Sequence, residues 1–327
     1  METIAVLTSG GDAPGMNAAI RASVRAAISS GLQVYGAKNG FSGLVSGDFQ
    51  RLHARSVTNI LQRGGTMLGT SRSTEFESKA GRKKAAKNLK SHAIDGLILI
   101  GGQGTAEAAL IFHQEYKIPS LVIPASIDND VAGTDFSVGF DTAVNGAMEA
   151  IDRIRDTAES SGRIFFVEVM GRSRGYIALY AGLSGGADAI FIPEEKEDIE
   201  ALCKRLVAGH KAGKSSFVVV VAEGEEAGGA FSVAERVTKQ LEGRVGVDYR
   251  VTVLGHLQRG GTPSSNDRVL GTTLGAAAVE GFEKGASNHL VGEINNNIVF
   301  TPLEKLPSME RELPKDLLHL LHTVGTT

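Results

Sequence analysis

The sequence predicts an α/β protein made of two similar doubly wound lobes with mainly parallel sheets and a ligand cleft between them. Three observations carry this. Short, almost continuous apolar runs, such as Leu97-Ile98-Leu99-Ile100 and Leu121-Val122-Ile123, have the composition of strands buried on both faces. These runs alternate with helical segments, the pattern of βαβ units and a parallel sheet. The alternation also occurs twice along the chain, with glycines at the strand-to-loop junctions, where open α/β sheets place their ligands.

The first strand is expected at residues 4–8. It runs into Ser9-Gly10-Gly11-Asp12-Ala13-Pro14-Gly15, and a helix follows at 17–29. A strand, a glycine loop and a helix N-terminus form an anion cradle, because backbone N–H groups and the helix dipole face the ligand. A tight turn explains Gly10-Gly11 equally well. The spacing is neither the P-loop nor the dinucleotide fingerprint. Arg21 and Arg25 lie four apart on one face of this helix and repel unless an anion or acidic partner neutralises them. A solvated basic face is the competing reading.

A second strand is expected at 33–37, then a loop after Gly40 and Gly43, then a short helix at 56–62. The segment from Arg63 to Arg72 is again glycine-rich, and such a segment can approach phosphate closely and set a guanidinium on it. Residues 81–92 form a basic helix with an apolar inner stripe, and 95–100 a buried strand. That strand ends in Gly101-Gly102-Gln103-Gly104-Thr105 before a helix at 106–116, a second candidate phosphate cradle.

The strand Leu121-Val122-Ile123 stops at Pro124, and the chain then presents Ser126, Asp128 and Asp130. A carboxylate in this position can take a proton from a hydroxyl about to attack phosphorus. A polar turn accounts for the same residue types. A long helix is expected at 139–159. The second series then runs strand 164–169, helix 176–183, strand 189–192, helix 198–212, strand 217–222, helix 233–241 and strand 248–254. A helix at 267–281, a strand near 289–293 and a helix near 315–322 finish the chain.

Composition sets the limits of function. At 327 residues, 42% hydrophobic and 22% charged, the chain can bury a substantial core in one large or two medium domains. A formal net charge of −3 gives no support for wholesale nucleic-acid binding. No apolar run reaches the roughly 18 residues of a membrane helix. The N-terminal segment enters a strand with no basic region or signal-like stretch, and the single cysteine, Cys203, excludes an intrachain disulfide. Cytoplasmic residence is the expectation.

Taken together, the motifs resemble the bacterial ATP-dependent 6-phosphofructokinase family. The resemblance is carried by Thr8 to Arg21, Arg63-Gly-Gly-Thr66, Gly101-Gly-Gln-Gly-Thr105, Ser126-Ile-Asp-Asn-Asp130, Val169-Met-Gly-Arg172 and Val253 to Gly261, in that order. It implies an active-site cleft between a larger ATP-binding lobe, residues 1–138 with 256–305, and a smaller fructose-6-phosphate lobe, residues 139–255 with 306–327. The implied reaction passes the ATP γ-phosphoryl to the 1-hydroxyl of fructose 6-phosphate with Mg2+. Asp128 is the implied base. Asp130 helps hold the proton and the metal, and Ser126 lies on the sugar or phosphoryl side. Gly11 lets the backbone approach the γ-phosphate, while Arg72 and Arg172 neutralise developing charge. The ATP set is Gly11, Arg72, Ser73, Gly102, Gln103, Gly104, Thr105 and Ala108. Met170, Gly171, Glu223, His256 and Arg259 bind the sugar and its 6-phosphate, joined by Arg163 and Arg250 from a neighbouring subunit. A homotetramer with shared sites follows from the resemblance. So does an effector pocket for ADP or phosphoenolpyruvate built from Arg21, Arg25, Arg55, Arg155, Asp188 and Lys214. Ala212 stands where some members carry a further Lys. A lipid or NAD kinase is disfavoured, because Arg163, His256 and Arg259 fit a sugar phosphate.

The chain departs from the family pattern at Gln103, where Asp is usual and serves the nucleotide-bound magnesium. A Gln carbonyl still accepts from a metal-bound water but brings no charge. By analogy with other electrostatic deletions this costs roughly 2–4 kcal/mol, about 10²–10³ in rate. The alternative is therefore a catalytically weakened regulatory paralogue. Gly104 and Ala125 argue for ATP, because the pyrophosphate-using branch carries a bulky acidic residue and a Lys at these places.

Overall fold

The computed structural model describes residues 1–195, 198–224, 228–241 and 248–324. In chain order the elements are β1 (Thr3–Thr8), α1 (Met16–Ser29), β2 (Gln33–Ala37), α2 (Phe41–Ser46), β3 (Phe49–Leu52), α3 (Thr74–Glu77), α4 (Lys79–Ser91), β4 (Gly96–Gly101), α5 (Gln103–Tyr116), β5 (Ser120–Pro124) and α6 (Phe140–Ser161). They continue with β6 (Ile164–Val169), α7 (Tyr176–Ser184), β7 (Ala189–Phe191), α8 (Ile199–Lys211), β8 (Phe217–Ala222), α9 (Gly229–Leu241), β9 (Tyr249–Val253), α10 (Ser265–Glu283), β10 (His289–Ile294), β11 (Asn297–Pro302) and α11 (Lys315–Val324). Short 3-10 turns cover Gly255–Arg259 and Leu303–Ser308. No helix among the described residues is long and apolar enough to cross a membrane.

The chain divides into two compact units, residues 1–142 with 259–311 and residues 143–258 with 312–327. The first crossing lies inside α6. Its opening residues belong to the larger unit because Asp267 accepts from the Gly139 N–H at 2.7 Å and the Thr142 N–H at 2.8 Å. A buried carboxylate thus caps the start of α6 from α10, 125 residues further along the chain.

The larger unit holds a seven-stranded sheet in the order β11-β10-β5-β4-β1-β2-β3. β1, β4 and β5 are parallel neighbours and buried along their whole length. Burial on both faces explains their unbroken apolar runs, and helices must cover both faces. The chain leaves β1 toward β2 and β3 on one side, and toward β4 and β5 on the other. The β1/β4 junction is therefore a topological switch point, where loops diverge above the strand C-termini and leave a crevice. The smaller unit holds a four-stranded parallel sheet in the order β7-β8-β6-β9, with its own buried cluster around Phe166, Phe191, Leu202 and Val219.

Local expectations fail at three places. Where a loop is expected after Gly40 and Gly43, the chain forms α2 and β3. The helical spacing of Phe41, Leu44 and Val45 is the apolar face that buries, with Phe41 stacked on Phe76 at 4.3 Å between ring centroids, but the flanking glycines masked it. Residues 56–62 are successive turns rather than a helix. Ser56 N–H reaches the His53 carbonyl and Thr58 N–H the Arg55 carbonyl, both three-residue spans, and Asn59 at φ 58° ends the run. β11 was not foreseen; it pairs antiparallel with β10 through Asn295 and Asn296, both at positive φ. Asparagine tolerates the left-handed conformation that a two-residue hairpin turn requires.

Candidate active site

In the larger unit the C-terminal ends of β1, β4 and β5 come together. A Cβ on Gly101 would stand 2.5 Å from the Ser9 carbonyl and 2.3 Å from Thr105 Oγ1, and Gly102 lies next to Ala125 and Ser126. The Ser9 N–H donates to the Ile100 carbonyl at 3.0 Å, and the Ala125 N–H to the Gly101 carbonyl at 3.0 Å. The three loops thus form one rim. Helices α1 and α5 both begin there, after Gly15 and Gly102, without a side-chain cap. Uncapped N-termini leave backbone donors for an anion. α5 starts at Gln103, three residues before the expected Ala106, so Gln103, Gly104 and Thr105 are its first turn.

Gly104 is exposed, its φ is not positive, and nothing lies within 4 Å of where a Cβ would stand. Glycine in a helix costs about 0.5–1 kcal/mol relative to alanine. Neither backbone conformation nor internal packing calls for it here, so the open space is left for something outside the chain.

After β5 the chain turns tightly. Ser126 Oγ accepts from the Asp128 N–H at 3.2 Å and donates to Asp130 Oδ1 at 2.7 Å. Asn129 takes φ 50°, and its side chain accepts from the Ser137 N–H at 2.8 Å and donates to the Asp135 carbonyl at 3.3 Å. Asp128 is 2% exposed. The residues do form a polar turn, and that turn fixes two carboxylates and a hydroxyl within five positions.

The segment bearing Arg72 is tied to the β1 loop. Thr70 Oγ1 donates to the Gly10 carbonyl at 2.7 Å, and Thr8 Oγ1 donates to the Gly69 carbonyl at 2.9 Å. Asn17 on α1 accepts from the Met67 N–H at 2.8 Å and donates to the Arg63 carbonyl at 3.0 Å. Arg72 itself is exposed, and Ser73 caps α3 by accepting from the Phe76 N–H. Arg259 lies over Gly11, with Nη1 donating to the Asp12 carbonyl at 3.2 Å. Ala108 is half-buried one turn into α5. Gln103 Nε2 donates to Glu107 Oε1 at 3.1 Å.

The smaller unit gathers its own set. Glu223, at the end of β8, accepts from the Gly171 N–H at 3.3 Å and the Arg172 N–H at 2.8 Å. Gly171 and Arg172 both have positive φ, 150° and 54°. An arginine held there is strained and needs the surroundings to impose it, which the Glu223 bonds do. Met170 is buried, its N–H donates to Gln258 Oε1 at 3.3 Å, and Gln258 Nε2 donates to the Gly255 carbonyl at 3.0 Å. That pair fixes the turn carrying the exposed His256. Arg250 Nη1 lies 2.7 Å from Asp248 Oδ2, and Arg163 Nε lies 3.3 Å from the same oxygen. Partial burial pushes the Asp248 carboxyl up, but the Arg250 hydrogen bond, the two guanidinium charges and the Tyr249 N–H together hold it below its ordinary value.

Of the six expected effector residues, Arg155, Asp188 and Lys214 belong to the smaller unit. Lys214 pairs with Asp188, which also accepts from the Val218 N–H at 2.8 Å, and Arg155 donates to the Gly185 and Gly186 carbonyls. Arg21, Arg25 and Arg55 belong to the larger unit, with Arg25 and Arg55 exposed and Arg21 half-buried. The positioning residues Asn17, Thr70, Glu107, Gln258 and Asp267 escaped the sequence reading. Only Glu107 carried a usable signal, its i+4 spacing from Gln103.

A profile of the phosphofructokinase family matches residues 3–282. The chain is 50% identical over 320 residues to ATP-dependent 6-phosphofructokinase 1 of Thermus thermophilus, covering 98% of each sequence. It is 48% identical over 320 residues to the ATP-dependent 6-phosphofructokinase of Cytophaga hutchinsonii, covering 98% of this chain and 97% of that one. Among solved structures, phosphofructokinase from Saccharomyces cerevisiae is similar with a TM-score of 0.89 at 34% identity, over 100% of this chain and 47% of the yeast chain.

Proposed function

The chain belongs to the phosphofructokinase family, and from that premise we propose how its own residues divide the work. The enzyme passes the γ-phosphoryl group of ATP to the 1-hydroxyl of fructose 6-phosphate, giving fructose 1,6-bisphosphate and ADP. The reading of the larger unit as the nucleotide cradle rests on one observation: Gly104, a first-turn helical glycine with open space above it and no internal reason to be glycine.

Asp128 accepts the proton of the attacking hydroxyl. It is buried at a strand C-terminus, and the Ser126–Asp130 hydrogen bond holds the turn around it. Gly11, Gly102, Gly104, Thr105 and Ala108 shape the nucleotide's bed with Ser73, and Arg72 neutralises charge on the transferred group. In the smaller unit Arg172 does the same. Met170, Gly171, Glu223, His256 and Arg259 bind the sugar and its 6-phosphate, and Arg163 and Arg250 reach in from a neighbouring subunit. Phosphoryl transfer needs little beyond such positioning and charge neutralisation.

Among the described residues no group of three or more His, Cys, Asp or Glu could cage a metal ion. The buried Gln103 Oε1, which has no hydrogen-bond partner, and Asp130 nevertheless fit Mg2+, which keeps several waters and takes most of its other ligands from substrate phosphates. Gln103 and Asp130 would hold it, and it supplies charge neutralisation on the phosphate oxygens. A cytoplasmic homotetramer with an ADP or phosphoenolpyruvate effector site completes the reading. The family membership and, for the effector site, the Lys214–Asp188 pair in the smaller unit are what support it.

The test is a coupled assay with fructose 6-phosphate and Mg-ATP, repeated with pyrophosphate. Turnover with ATP alone is expected. Turnover with pyrophosphate alone would overturn the donor assignment.

A further inference from the structure

We infer that Gln103 and Glu107 act as one unit, in which a carboxylate one helical turn into α5 works through an amide on the metal–nucleotide complex. The inference rests on the nucleotide-cradle reading of the larger unit. Gln103 is the first residue of α5, and Glu107 lies one turn later on the same face. The Gln103 amide donates to Glu107 Oε1 at 3.1 Å. A carboxylate only accepts, so Glu107 dictates which way the amide points, nitrogen toward itself and oxygen away. The oxygen so turned is buried and has no hydrogen-bond partner.

A buried carbonyl oxygen without a donor is an exception that calls for a partner. The neighbouring side chain that fixes it has no proton to give. A divalent cation, or a water bound to one, is the chemistry that completes it at a phosphate-binding helix N-terminus. Glu107 contributes in two ways. It locks the carbonyl in place, and its charge polarises the amide, so that the oxygen carries more negative charge than a free carboxamide would. Residue 103 is itself uncharged, and the pair restores to the cradle a negative charge that Gln103 alone lacks. Glu107 is a positioning residue in this scheme. It is exposed, and its replacement leaves the core intact.

The experiment is calorimetric titration of the whole protein with ADP, once with excess Mg2+ and once with a chelator, every protein carrying Arg21→Ala/Arg25→Ala so that ADP at the proposed effector site does not contribute. It uses the parent, Glu107→Gln, and Gln103→Asp/Glu107→Gln. The parent is expected to bind ADP more tightly with Mg2+ than without it. Glu107→Gln should lose about tenfold or more of that preference, the usual scale for groups that orient a metal ligand, while metal-free ADP binds both proteins alike. The double variant should recover the preference, because the charge now stands at position 103. An unchanged Mg2+ preference in Glu107→Gln would show that the pair is only a surface contact and overturn the inference alone. Equal weakening of both titrations would make Glu107 merely structural and overturn it too. A parent that binds ADP under neither condition would overturn the nucleotide-cradle reading, and the inference with it.

Discussion

The Ser126 hydroxyl donates to Asp130 Oδ1 at 2.7 Å. Because the same hydroxyl accepts the Asp128 N–H, it holds Asp130 and the Asp128 backbone in one turn. The Asp128 backbone is thereby fixed by the same turn that holds Asp130. Asp128→Asn keeps that shape and removes only the ability to take a proton. Turnover should fall by about 10²–10⁴-fold, the usual contribution of general base catalysis, with little change in fructose 6-phosphate binding. Turnover within about threefold of the parent would remove Asp128 from the role of base.

Gly104→Ala separates stability from function. A methyl group there meets no protein atom. The variant should be equally stable or gain up to about 1 kcal/mol, read as a higher thermal midpoint, because alanine replaces glycine in a helix. The ATP KM should rise. An unaltered KM would mean that the space above Gly104 is not where the nucleotide lies.

Asp267 makes a prediction about pH. Burial pushes its carboxyl above the ordinary value, against the hydrogen bonds from Thr142 Oγ1 and the Gly139 and Thr142 N–H groups. A raised folded value means that its stabilising contribution is fully present below the unfolded pKa and is lost as pH rises through the folded one. Asp267→Asn should lower the thermal midpoint by turning an amide N–H toward donors. The gap between parent and variant should be widest in acid and narrow as pH rises. A gap that widens with pH would show the carboxylate to be stabilised in its ionised form.

The effector reading is tested by calorimetry with phosphoenolpyruvate and with ADP on the parent and on Arg21→Ala/Arg25→Ala. Arg21 and Arg25 share one face of α1, and two like charges there need a counter-charge. The parent should bind at least one of these anions, and the double variant should bind it about tenfold more weakly or worse, consistent with loss of charged hydrogen bonds. Equal binding by both proteins would return the two arginines to a solvated basic face.

Much of this was legible in the sequence. β1, β4, β5 and β8 are buried throughout and β6 at all but Glu168, so their residues had to be apolar almost without interruption, and such runs can be read directly. The strand–glycine–helix junctions at α1 and α5 were legible because glycine between an apolar run and a helical pattern marks a strand end. Residues 41–52 and β11 were not legible, since glycines and asparagines at their borders are equally at home in loops and in turns that continue a sheet.

What the sequence by itself determined was the set of strands apart from β3 and β11, the alternation that makes the sheets mainly parallel, and the residue types available at each strand end. Tertiary structure alone decided how those residues are held. Arg259 rests on the Gly11–Asp12 loop, Thr70 ties the Arg72 segment to Gly10, Asp267 caps α6, and the Gln103 amide is turned by Glu107. The physical reason is one of range. Burial patterns and backbone propensities are properties of neighbouring residues and leave a periodic mark along the chain. A hydrogen bond spanning 125 positions, as from Thr142 to Asp267, exists only once packing has brought its partners together.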